Sequence, residues 1–130
     1  MISRVGAYGA IHALLAVALG AFGAHGLKGK ITDDMLAVFE TGVRYHMYHA
    51  IGLIVIGLLI ERMASCKGLR WAGILMHIGI FLFSGSLYAL SLTDLKWFGP
   101  ITPFGGVAFI AAWAFTALAI LRTSKGKAAK

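Results

Sequence analysis

Histidine is the residue type with the widest chemical range in this 130-residue chain, which contains five of them. An imidazole ring can bind a metal, exchange a proton near neutral pH, or form hydrogen bonds through both nitrogens. His46 and His49 are three residues apart, so a helix would place both rings roughly on one side. Together with His25, they could bind a metal or haem or act in acid–base catalysis.

His12 and His77 form a second candidate pair. Each follows a basic residue by seven or eight positions, which places both rings about 10–12 Å from the same end of a helical bundle. They could face each other and share a metal or a proton. The simpler alternative is that each neutral ring bonds to a backbone carbonyl or a hydroxyl group. We expect no third metal ligand at that level.

The composition indicates which kind of secondary structure contains these histidines. The chain is 59% hydrophobic and 13% charged, and its mean hydropathy is +0.83. The charges are clustered and leave four apolar runs of membrane-spanning length once helical flanks are included. We predict a single-domain, all-α integral membrane four-helix bundle, with spans at about 5–24, 46–62, 71–92 and 104–122.

The connection between the first two spans is the least membrane-like part of the chain. Thr32 is a suitable N-cap, and the negative charges of Asp33 and Asp34 in the first turn would interact favourably with the helix dipole. Apolar and polar residues then separate onto two faces up to Tyr45. We predict an amphipathic interfacial or re-entrant helix over 32–45 that bends near Gly42 or Tyr45 before the second span.

The distribution of Lys and Arg predicts the orientation. Eight of the twelve lie on the side that holds both termini and the middle loop, and four lie on the other side. The positive-inside rule therefore predicts an inner-membrane protein with cytoplasmic termini. The basic tail over 122–130 is explained by topology and anionic lipid, without nucleic acid.

Several polar residues are predicted to meet near the outer end of the bundle. They comprise a histidine at the end of the first span, residues of the amphipathic segment, and residues of the third and fourth spans: His25, Glu40, Arg44, Tyr45, His49, Tyr88 and Thr102. They could line a ligand-binding cavity, or they could tie loop to helix through hydrogen bonds. Thr102 is also predicted to cap the fourth helix, which Pro103 would open.

Four blocks in order, "GAFGAHGLK", "YHMYHAIGL", "FSGSLYAL" and "FGPITPFGG", resemble the bacterial domain-of-unknown-function 423 family, which is related to the small eukaryotic transmembrane protein 256. The resemblance covers nearly the whole chain and implies a small four-span inner-membrane protein with no assigned activity. Phe98 stands where the family pattern often has leucine. The residues that fall in signature blocks are His25, Tyr45, His49, Ser84, Gly85, Ser86, Tyr88, Pro100, Thr102, Pro103, Gly105 and Gly106.

Three functions follow from these features. The first is a non-catalytic protein that binds a lipid-like ligand or a partner helix through the outer polar residues, without a cofactor. The second is a metal- or haem-binding redox or enzyme component that uses His25, His46 and His49. The third is an oligomeric transporter or channel, which requires a polar path from the outer residues to His12 and His77. We rank it third because both connecting stretches, 53–59 and 78–83, are apolar.

Overall fold

A computed structural model describes residues 4–63 and 66–128 of the chain, and within them the regular structure is helical. The helices are α1 (Arg4–Phe22), α2 (Asp33–Arg62), α3 (Lys67–Gly79), α4 (Gly85–Thr93) and α5 (Thr102–Ala128). One π-helical turn, Gly23–Leu27, extends α1, and another, Ile80–Ser84, joins α3 to α4. A 3₁₀ segment, Lys96–Ile101, leads into α5.

Four of the resulting helical stretches are long and apolar enough to cross a membrane, which confirms the predicted fold class. They are Arg4–Leu27, Asp33–Arg62, Lys67–Thr93 and Lys96–Gly126. Thr32 caps α2 as predicted, since its hydroxyl accepts the Met35 N–H at 3.2 Å. The apolar core lies where α2, α3 and α5 meet; its buried members are Leu53, Ile56, Ala72, Met76, Ile80, Phe109 and Ala112.

The second span differs from the sequence prediction. Residues 32–45 do not form a separate amphipathic helix, because α2 runs unbroken for 30 residues from Asp33 to Arg62. The helix does not bend at Gly42. A Cβ atom at this position would be 3.0 Å from a ring carbon of Tyr88, so the glycine lets α4 approach α2 closely. Ser84 reinforces this contact by donating its hydroxyl to the Gly42 carbonyl at 2.7 Å.

The helices associate chiefly as two pairs. Helix α1 packs along α2, and α5 packs along α3, while α2 and α3 join the pairs through the core. Small residues on α1 face α2, and Gly9 and Ala16 are buried there. Small residues permit the close packing that holds membrane helices together. Because α1 packs chiefly against α2, the side of α3 that faces α1 is left partly uncovered.

Candidate functional site

A chain of hydrogen bonds crosses the interior of the bundle. His12 Nδ1 of α1 lies 3.1 Å from His46 Nε2 of α2. His46 Nδ1 in turn lies 3.0 Å from the Tyr88 hydroxyl of α4. The middle of this chain is buried: His46 is 4% exposed and His12 is 9% exposed. Three membrane-spanning stretches therefore share one polar network.

His77 of α3 extends the network on the far side of His12. The two rings meet edge to face, with centroids 5.3 Å apart. His77 Nδ1 donates to the Gly73 carbonyl at 2.9 Å. Because a carbonyl can only accept, a neutral His77 carries its proton on Nδ1 and presents Nε2 as an acceptor. Tyr8 of α1 contacts the same ring edge-on at 5.8 Å. We refer to Tyr88, His46, His12 and His77 as the histidine chain.

The hydrogen bonds of the histidine chain have two consistent directions. In one, His12 donates to His46 and His46 donates to Tyr88. In the other, Tyr88 donates to His46 and His46 donates to His12. Each neutral imidazole has one donor and one acceptor nitrogen, so either direction satisfies both bonds of His46. Reversing the direction moves one proton along each bond, while one proton enters at one end of the chain and one leaves at the other.

The predicted meeting of His12 and His77 is confirmed, and so is the bond of His77 to a backbone carbonyl. The expectation that no further metal-ligand residue lies at their level is wrong, because His46 joins them. The sequence prediction places His46 at the outer boundary because it starts the second span at that residue. Helix α2 begins 13 residues earlier, at Asp33, and this puts His46 about 20 Å along the helix.

The predicted outer residues do not form one cluster. His49 is 5% exposed and stacks on Phe109 of α5 with ring centroids 3.4 Å apart. Its Nδ1 donates to the Tyr45 carbonyl at 2.6 Å. Tyr88 instead bonds to His46. His25, Glu40 and Arg44 lie on the exposed face of the chain.

Thr102 is part of a separate contact. It is the first residue of α5 and has helical dihedral angles, so it is not the predicted N-cap. Its hydroxyl lies 2.6 Å from the Ser86 hydroxyl, and Ser86 also donates to the Phe83 carbonyl. Thr102 therefore ties the start of α5 to α4.

This role gives a direct prediction. Thr102→Val is expected to lower the free energy of unfolding by about 0.6–1.7 kcal/mol, the range for single hydrogen bonds between membrane helices. Unfolding in mixed dodecyl sulfate micelles, followed by tryptophan fluorescence, measures the change. The matched control is Thr41→Val, because the Thr41 hydroxyl bonds only to Ala37 one turn earlier in its own helix. Equal stability of the two variants would contradict the interhelical role.

The residues proposed for metal or haem binding point in different directions. His46 faces α1 and α4, whereas His49 faces α5, because a separation of three residues rotates the second ring by about 60° on a helix. His25 lies beyond α1 in the π-helical turn. Across residues 4–63 and 66–128, no group of three His, Cys, Asp or Glu side chains has a metal-binding arrangement.

Two surface grooves lie toward opposite ends of the bundle, and His77 of the histidine chain lines the first of them. The inner groove, between α1 and α3, has a volume of about 830 Å³ and is almost entirely apolar apart from Arg70 and the rings of Tyr8 and His77. Its other lining residues are Val5, Ile60, Gly73, Ile74, Ile78, Phe81 and Leu82. The outer groove, of about 740 Å³, lies between residues 29–35 and 91–96 and is more polar.

The sequence contained a signal for the inner groove that the predictions missed. Arg70, Ile74, His77 and Phe81 are spaced three or four apart and so share one face of the third span. This pattern combines one cation, one imidazole and apolar neighbours along a single stripe. It becomes a groove only because α1 packs against α2 and leaves the stripe open.

Comparison with known proteins identifies the family. The family model described as "Protein of unknown function (DUF423)" matches residues 19–106. The chain is 56% identical over 114 residues to the UPF0382 membrane protein YwdK of Bacillus subtilis. The alignment covers 88% of this chain and 93% of that protein. The chain belongs to the DUF423 family.

A second relative with a UPF0382 name supports the membership. The UPF0382 membrane protein of Staphylococcus epidermidis is 46% identical over 114 residues, covering 88% of this chain and 92% of that protein. The predicted family resemblance and the predicted membrane location are thus confirmed. The part of this chain that the DUF423 model matches includes His46, His77 and Tyr88 but begins after His12. No solved structure matches this chain.

Proposed function

We propose that this DUF423 protein is a non-catalytic membrane protein that binds an anionic, acyl-chain-bearing lipid in the inner groove. The observation that carries the proposal is an apolar groove of about 830 Å³ that contains one cationic side chain, Arg70. An acyl chain would lie along the apolar wall, and the guanidinium group would pair with a phosphate. Arginine is well suited to this because its planar fork can donate two hydrogen bonds to one phosphate.

The order of residues along α3 supports this assignment. Arg70 lies near the beginning of the helix, and Ile74 and Ile78 follow it along the groove toward Phe81. From Arg70 to Phe81 the helix rises about 16 Å. A headgroup at the membrane boundary and a chain directed toward the membrane interior would therefore follow the same line.

Side-chain exposure also supports the proposal. Phe81 is 68% exposed, Ile74 48% and Ile78 42%, although α1 stands beside them. These apolar side chains are compatible with lipid, which is as apolar as they are. What distinguishes this stripe from the rest of the lipid-facing surface is its concave shape and its single cation.

The orientation follows from the same charges. We propose that the chain resides in the inner membrane with both termini and Arg70 on the cytoplasmic side, since eight of the twelve Lys and Arg residues lie at that end. Anionic lipids of the cytoplasmic leaflet attract such basic segments. Assembly into a homo-oligomer or with a partner membrane protein stays a prediction. So does ligand binding at the predicted outer residues His25, Glu40, Arg44, Tyr45, His49, Tyr88 and Thr102.

Spin-labelled lipids provide the test. We expect purified protein in vesicles to immobilise spin-labelled phosphatidylglycerol more strongly than spin-labelled phosphatidylcholine with the same chains. Arg70→Gln should abolish this preference, because it removes the charge while keeping a side chain of similar length. The relative association constants come from the immobilised fraction in electron paramagnetic resonance spectra.

Arg122→Gln is the matched control. Arg122 is an arginine at the same end of the bundle, but it borders a different groove, between α3 and α5. Its substitution should leave the preference for phosphatidylglycerol in place. Equal affinity of the wild-type protein for both lipids would refute the proposal, and so would an unchanged preference in Arg70→Gln.

A further inference from the structure

We propose that the histidine chain is a proton relay between the outer groove and the inner groove. The carrying observation is that Tyr88, His46 and His12 are linked by hydrogen bonds of 3.0 and 3.1 Å, with His77 in ring contact at the far end. This proposal does not depend on lipid binding. It supplies the polar path that the transporter interpretation of the sequence required.

The outer end of the relay lies one helical turn below the outer groove. Ser91, which lines that groove, donates its hydroxyl to the Tyr88 carbonyl at 3.0 Å. Met35 lines the groove from α2, and Phe39, one turn further in, contacts the Tyr88 ring at 5.0 Å. The Tyr88 side chain is half-buried. The relay requires water to enter past Ser91 and reach the Tyr88 hydroxyl.

The inner end of the relay opens into the inner groove. His77 is half-buried and lines that groove together with Tyr8 and Arg70, the titratable and charged groups that face it there. His46 and His12, between the two ends, are buried. A relay needs water at each end and a protected middle, so that protons are exchanged at the ends without water flowing through.

Proton transfer along the chain balances at every step. A proton arrives from water at the Tyr88 hydroxyl oxygen while Tyr88 passes its own proton to His46 Nδ1. His46 passes its Nε2 proton to His12 Nδ1. His12 then carries protons on both nitrogens and releases the Nε2 proton to His77 Nε2, the acceptor left free by the bond of His77 Nδ1 to Gly73. His77 releases that proton to water in the inner groove.

One proton has then entered and one has left, and all four groups are neutral again. The direction of the hydrogen bonds has reversed, because His46 and His12 now carry their protons on Nδ1 instead of Nε2. Each ring must exchange its Nδ1 proton for one on Nε2 before the next proton passes in the same direction. The step from His12 to His77 crosses an edge-to-face contact with centroids 5.3 Å apart. One bridging water molecule between the two Nε2 atoms would complete this step, as water does in many buried polar sites.

Membrane location makes this arrangement informative. Titratable groups inside a span are costly and usually mark a functional path. A structural clamp would need only one hydrogen bond per helix pair, and the hydroxyl of Ser84, in the π-helical turn that leads into α4, already donates to the Gly42 carbonyl of α2. A continuous series of groups that both accept and donate protons is the additional feature.

Proton flux into vesicles tests the relay. The full-length protein is reconstituted into phosphatidylcholine vesicles that contain a pH-sensitive dye, and a potassium diffusion potential drives protons inward. We expect faster acidification than in protein-free vesicles. Tyr88→Phe and His46→Gln should reduce the rate to that of protein-free vesicles, because phenylalanine has no exchangeable proton and glutamine can bond but cannot pass a proton on.

Two controls separate transport from folding. Tyr48→Phe removes a hydroxyl from an exposed tyrosine of α2 and should leave the flux unchanged. Tyr88→Phe and His46→Gln should elute from size exclusion at the wild-type volume with the wild-type helical circular dichroism. Tyr88→Phe keeps the aromatic packing, so at least this variant tests the relay in a folded protein.

The outcomes discriminate the two proposals. Wild-type vesicles that acidify no faster than protein-free vesicles would overturn the relay, and so would wild-type flux in Tyr88→Phe. Because phosphatidylcholine carries no net charge, neither result bears on anionic lipid binding.

Discussion

Gly105→Ala is expected to destabilise the protein by about 2–3 kcal/mol, the upper range for overpacking a close contact. A Cβ atom at Gly105 would lie 2.7 Å from the Phe83 Cβ and 2.8 Å from the Phe83 Cα. Backbone atoms cannot rotate away as a flexible side chain can, so α5 would have to move off the π-helical turn. The loss should exceed the gain in helix propensity of up to about 1 kcal/mol that alanine normally brings.

Gly106→Ala is the matched control for this prediction. It lies on the same helix one residue later, but its Cβ would be 3.9 Å from the Phe83 ring, which is ordinary contact. We expect Gly106→Ala to be neutral or slightly stabilising. Reversible unfolding in mixed dodecyl sulfate micelles, followed by tryptophan fluorescence, gives both values. Similar stabilities of the two variants would contradict the close approach of α5 to Phe83.

Gly57→Ala is expected to lower the free energy of unfolding by about 3 kcal/mol, because two helix backbones are in direct contact at this position. A Cβ atom at Gly57 of α2 would lie 2.5 Å from the Gly6 backbone nitrogen and 2.7 Å from the Gly6 Cα. Helix α1 would be pushed away from α2 at its N-terminal end. Since Val5 and Tyr8 of α1 line the inner groove, the groove would change shape as well.

The same substitution at Gly6, the glycine that faces Gly57, provides the control. A Cβ atom at Gly6 would come no closer than 3.9 Å to Gly57 or Ile54, so Gly6→Ala should be tolerated. Unfolding free energies measured as above, together with the immobilised fraction of spin-labelled phosphatidylglycerol, read out both effects. We expect Gly57→Ala to change both and Gly6→Ala to change neither. A Gly57→Ala protein as stable as Gly6→Ala would show that α1 does not pack this closely.

The two proposed activities share one residue, His77. It forms the inner end of the relay and part of the wall of the inner groove. An anionic lipid bound at Arg70 would hold its chain in the groove and exclude water from His77, so the two activities would be mutually exclusive at a given moment. Flux in vesicles of phosphatidylcholine alone is therefore the appropriate first measurement of the relay.

Local features of this fold were predictable from the sequence. The Thr32 cap and the helix starting at Asp33 follow from side-chain chemistry within one turn. The meeting of His12 and His77 followed from depth alone, since both lie at similar distances from the basic end. The partners of His46, Tyr88 and Thr102 were not predictable in this way, because each bonds to a different helix.

The continuity of α2 shows why the predictions failed where they did. Gly42 is compatible with either a bend or a close contact, and only the position of Tyr88 decides between them. Once residues 33–45 are read as part of a longer helix, His46 moves from the membrane boundary into the bundle. One misjudged helix boundary therefore displaced a central residue of the histidine chain.

The sequence by itself determined the class of the protein: four apolar helices, a basic end and a family membership carried by short blocks. Those properties depend on local composition and on the cost of placing charge in lipid, which each segment carries on its own. The tertiary structure decided which polar groups meet and where a groove remains. Hydrogen bonds between helices depend on rotation about each helix axis, and small residues set that rotation through contacts that no single segment contains.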